Sequence, residues 1–108
     1  MQRSDPIVGG LYGARGRDGR FSIVKVLAVD ESAVHLRRYA NQFAELPTTI
    51  SSSDLTLGSV GGPDGFGIGH YPIAREAFDR EERTLIAEEV VDDDELEGYR
   101  IWAGDDEA

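Results

Sequence analysis

RFSIVKVLAVD, residues 20–30, is the stretch on which the fold turns. Side chains of an extended chain point alternately to opposite faces. That alternation puts Phe21, Ile23, Leu27 and Val29 on one face, with Val24, Val26 and Ala28 on the other. A strand apolar on both faces belongs in the middle of a sheet, covered on each side or wrapped in a barrel. Just before it stands Asp18-Gly19, a strong short-range hairpin signal. LYGARG, residues 11–16, therefore reads as the preceding strand, Tyr12 and Ala14 alternating with Leu11 and Gly13. After it, DESA turns the chain into AVHLRRYA, residues 33–40. There Val34, Leu36 and Arg38 share one face, and His35, Arg37 and Tyr39 the other. Three consecutive antiparallel strands are expected.

Beyond residue 43 the pattern breaks up. Pro47 interrupts it, Thr48 to Ile50 favour a short strand, and SSSD is turn or cap chemistry. Leu55 and Leu57, two apart, suggest one more short strand. VGGPDGFG, residues 60–67, is too punctuated by glycine and proline for a regular element. A short amphipathic helix is expected from Pro72, with Ile73/Ala77 and Ala74/Phe78 four apart. Thr84, Ile86, Val90 and Val91 are β-branched and favour a strand at 84–91, a continuous helix being the alternative. Asp92 to Gly104 reads as a second helix, with Asp92 and Glu95 at capping-box spacing. Its inner stripe is Leu96, Tyr99 and Ala103, with Trp102 near the edge. The sum is a mainly β (α+β) single domain, 1–108, with frayed ends at about 1–6 and 104–108. The architecture it suggests is a small, partly open barrel built from the antiparallel meander, with two short C-terminal helices.

Composition narrows the function classes. Without cysteine there is no thiol nucleophile and no thiolate metal site. The most apolar run, IVKVLAV, is short and broken by Lys25, so no bilayer span and a cytoplasmic location are expected. Residues 1–50 hold seven basic against five acidic side chains, whereas residues 51–108 hold four against sixteen. Such a field repels nucleic acid and anionic lipid and attracts a basic protein partner.

The glycine-rich stretch PDGFGIGHYP, residues 63–72, fails the phosphate templates. Gly65, Gly67 and Gly69 are followed by His70 where a third dinucleotide glycine belongs. Gly62 and Gly67 have Walker spacing, but Ile68 and Gly69 follow instead of Lys and Ser/Thr. A turn-rich connector presenting Phe66, His70 and Tyr71 together is the better reading. His35 and His70 lie in separate elements with no metal-ligand spacing, so no metal and no cofactor is expected. The acidic run EEVVDDDELE lacks the calcium-loop pattern and reads as a solvated helix start. Ser51–Ser53 have no nucleophile-elbow context, and no catalytic residue is assigned. Aromatics converging on a barrel mouth could cage a cation, although most must fill the core.

The opening GLYGARGRDGRFSIVKVLAVDESAVHLRRY resembles the start of Tudor-like small barrels, and the resemblance implies an SH3/Tudor-like barrel and a binding module. VHLRRYANQF, DGFGIGHYPI and ELEGYRIW are similar to a group of small bacterial proteins with no activity to transfer. The expectation is a non-enzymatic, acidic protein-interaction module, of the kind in which an immunity or antidote protein masks a basic partner. Asp64, Phe66, His70, Tyr71, Tyr39 and Trp102 are the candidate binding residues. The alternatives are a small-ligand or enzyme site at the 61–72 loop, and a homodimer formed through a strand edge or Trp102.

Overall fold

A computed structural model describes residues 6–16, 18–57, 67–81 and 83–103, with Ala103 described by its backbone only. The meander is as expected: β1 (Gly10–Arg15), β2 (Phe21–Val29) and β3 (Ala33–Phe43) pair antiparallel in sequence. Gly19 takes φ +84° in the first turn, and the Gly16 and Arg20 backbones close that hairpin. Asp30 shapes the second turn. Its Oδ1 accepts from the N–H groups of Ser32 and Ala33, at 3.0 and 2.8 Å.

Two more strands extend the meander, β4 (Ile68–Ala74) beside β3 and β5 (Thr84–Glu88) beside β1. The order β4-β3-β2-β1-β5 leaves β4 and β5 at opposite edges. The sheet is therefore open, not a barrel. The strand expected at 84–91 forms over Thr84–Glu88 only, so Val90 and Val91 lie beyond its end. Residues 68–72, expected as connector and helix start, instead form most of β4, and only α1 (Arg75–Arg80) is helical. Pro72, which donates no backbone hydrogen bond, is accommodated because β4 is an edge. The expected strands at 48–50 and 55–57 do not form. A single 3-10 turn, Ser52–Asp54, stands there, capped by the Ser51 hydroxyl, which accepts from the Ser53 N–H.

In place of closure, each face of the sheet has its own cover. On one face Val24, Val26, Val34, Leu36 and Tyr12 pack under Phe78 of α1, whose ring meets Tyr12 edge-on at 5.4 Å. On the other, Leu11, Ile23 and Tyr39 lie beneath Ile50, Leu55 and Leu57, so the unstranded segment supplies core. Val29 packs with the Val24/Val26 face rather than with Ile23. The irregularity between Val26 and Ala28 is the cause, since one extra residue in a ladder reverses the alternation beyond it.

Candidate functional site

α2 (Glu97–Ala103) crosses the second face near β4, and the groups beneath it are polar. Sheet alternation places His35, Arg37 and Tyr39 of β3 on this face, together with Lys25 of β2 and His70 of β4. The β3–β4 register sets His35 opposite Pro72, so His70, two residues along, lies diagonally beside it.

His35 is wholly buried, with no exposed surface. Its Nε2 lies 2.8 Å from Asp30 Oδ2, and its Nδ1 3.0 Å from His70 Nε2. The two rings are within 11° of parallel, with centroids 5.2 Å apart. With nitrogens that close, the rings meet edge to edge through a hydrogen bond rather than face to face. An ionised carboxylate only accepts, so Nε2 of His35 carries the hydrogen and donates it to Asp30. Nδ1 of His35 then accepts from the Nε2–H of His70. The His35 hydrogen bond, helped by the two turn N–H groups, holds the Asp30 carboxyl below its ordinary range. Burial, and next the neighbouring His35, push His70 below the usual imidazole value.

α2 roofs this chain. Tyr99 and Trp102 meet the His35 ring at 4.6 and 4.5 Å, both steeply inclined. Gly98 lies on His70 so closely that a Cβ there would stand 2.7 Å from His70 Cβ. The segment leading into α2 is fastened separately. Lys25, 1% exposed, donates from Nζ to both oxygens of Glu95, at 2.9 and 3.1 Å, and to the Val90 carbonyl at 2.9 Å. Glu95 is also half of the expected capping box. It accepts from the Asp92 N–H and donates its own N–H to Asp92 Oδ1. Arg37 Nη1 approaches the same carboxylate at 3.9 Å, and Arg37 Nε donates to the Gly69 carbonyl.

The outer side of α2 has another character. Ile101 is 60% exposed and Trp102 51%. Beside them is a cleft of about 320 Å³ lined by Asp93, Asp94, Glu97, Arg100 and Ile101. Arg100 donates to Asp93 at 3.1 Å, leaving Asp94 and Glu97 as acids of the cleft with no ion pair among the described residues.

The six sequence candidates therefore separate. His70 and Trp102 come together on one face. Tyr71 points to the opposite face, against the Val24/Leu36 cluster, so the expected grouping with His70 does not form. Tyr39 is core beside Leu11 and Ile23, its phenol pushed up to about 12, chiefly by burial. Asp64 and Phe66 lie outside the described residues, as does the first part of the glycine-rich stretch, residues 63–66. Asp30, His35, Lys25, Glu95 and Tyr99 are additions that the sequence reading did not select. No helix of the described residues is long and apolar enough to cross a membrane, and no three or more His, Asp or Glu side chains among them are arranged so that they could hold a metal ion. Comparison with family models, curated proteins and solved structures finds no match to the chain.

Proposed function

We propose that the protein is an interaction module that docks a basic protein partner on the outer face of α2. The observation that carries this reading is the pairing of exposed Ile101 and Trp102 with the acid-lined cleft beside them. Exposed apolar side chains next to an acid-lined cleft suit a partner with apolar anchors among arginines or lysines. The chain's net charge of −10 would speed the encounter of such a partner. The Tudor-like opening supports the same class by analogy, and a cytoplasmic setting accords with the absence of cysteine.

An amphipathic peptide of arginine and leucine is the probe. We expect it to bind with an affinity that falls as salt rises, and to lose about tenfold or more with Trp102→Ala, the scale of an aromatic hot spot. Affinity indifferent to both salt and Trp102 would overturn the reading. So would sedimentation showing that a second copy of the chain already covers this face.

A further inference from the structure

The Asp30–His35–His70 chain ends at His70 Nδ1, which has no hydrogen-bond partner among the described residues. This nitrogen faces the α2 backbone, 3.6 Å from where a Gly98 Cβ would stand. As Nε2 of His70 already donates to His35, Nδ1 is where the next proton must go. A second proton beyond that would set two N–H groups head to head across the 3.0 Å gap.

We propose that this chain is a proton-controlled seat for α2: with His70 neutral the helix stays down, and a proton on Nδ1 lifts it. The lifting needs only the geometry beneath the helix; its consequence, withdrawal of the docking face, rests on the function proposed above. The charged and titratable groups around His70 can be named element by element. From β3 come His35, which already takes the Nε2 hydrogen, and Arg37, a fixed positive charge bound to the neighbouring Gly69 carbonyl. From the β2–β3 turn comes Asp30, whose oxygens are occupied by His35 and two backbone N–H groups. From the segment before α2 comes Glu95, committed to Lys25 and near Arg37. From α2 itself come Tyr99 and the uncharged indole of Trp102, centred 6.3 and 6.4 Å from the His70 ring. Those distances exceed the roughly 6 Å within which an aromatic face holds a cation.

The sign follows. His70 under the seated helix lies below the 6.5 of a free imidazole, because burial disfavours its charge. Lifting α2 removes that burial. As pH falls through 6.5 the lifted form takes up a proton first, and the balance moves toward it, by about tenfold for each unit of depression.

Trp102, the only tryptophan, sits against His35 and reports directly on the seat. Titrating the full chain from about pH 7.5 to about pH 5, the range of imidazole charging, should shift its emission at an apparent midpoint below 6.5. The sheet's far-ultraviolet signal should stay constant, and His70→Gln should abolish the transition. No transition in the native chain, or the same transition in His70→Gln, overturns the seat. Should that variant fail to fold, imidazole nitrogen shifts of the native chain decide, and proton uptake at Nε2 rather than Nδ1 refutes it. The arginine–leucine peptide should bind several-fold more weakly at the acidic end. If it binds at neither pH, the docking reading and the consequence drawn from it both fall, while the emission transition alone decides the movement of α2.

Discussion

Lys25 is the residue whose character changes most between sequence and structure. In the strand pattern it merely interrupts an apolar run; in the fold it is the post to which the C-terminal segment is tied. A buried ammonium persists only if fully paired, and here two carboxylate oxygens and a carbonyl accept its hydrogens. Removing one partner strands the other. Lys25→Ala should therefore cost about 3–5 kcal/mol in urea unfolding, the range for breaking a buried pair. Lys25→Met combined with Glu95→Met removes both charges and should recover most of that loss. A double variant as unstable as the single would mean that the geometry of the pair, and not its desolvation, sets the stability. His35 makes the same point more quietly: on a strand it reads as an ordinary polar face residue, and only Asp30 and His70 give it a role.

At the scale of elements, α2 is short and held by what it rests on. Tyr99 and Trp102 supply its apolar contact, the Glu95 capping box fixes the chain ahead of it, and Gly98 permits its close approach. Gly98→Ala opposes two effects. Alanine favours a helix by about 1 kcal/mol, whereas a methyl 2.7 Å from His70 Cβ forces a shift of the kind that costs about 1–3 kcal/mol. We expect the clash to win, loosening α2 while the amides of β2 and β3 keep their hydrogen-exchange protection. A raised melting temperature with unchanged Trp102 emission would refute that ordering. The same element shows where sequence legibility stops. β1 to β3 were readable because alternation and a positive-φ turn are local, and Asp92 and Glu95 announced their box three residues apart. β4 was hidden by Gly67, Gly69 and Pro72, which argue against a strand unless it is known to lie at an edge. Without β4 there is no β3–β4 register, and without the register nothing brings His70 to His35. The barrel expectation failed for a related reason. Apolar side chains on both faces of β2 demand cover, and α1 and residues 50–57 provide it without closure.

For the whole molecule the dominant fact is unbalanced charge, which acts in opposite directions on folding and on docking. A net charge of −10 on 108 residues repels itself, and sixteen of its acids lie in residues 51–108, where the exposed acids around α2 have few basic neighbours. Added salt screens that repulsion over a Debye length of about 10 Å at 0.1 M, so the compact state should gain stability. The buried Lys25–Glu95 pair is shielded from solvent ions and should lose little. The melting temperature should therefore rise between low and moderate sodium chloride. The same screening weakens attraction between the cleft acids Asp94 and Glu97 and a cationic partner. Peptide affinity should consequently fall over the salt range in which stability rises. Calorimetric melting and fluorescence binding in matched buffers test the pair of signs together. If both rise with salt, apolar contact at Ile101 and Trp102 governs docking. If both fall, exposed ion pairs outweigh self-repulsion in the fold. Charge reversal at the cleft, Asp94→Lys with Glu97→Lys, separates the two effects further: it lowers the net charge toward zero, so stability at low salt should rise or hold while the cationic peptide is rejected.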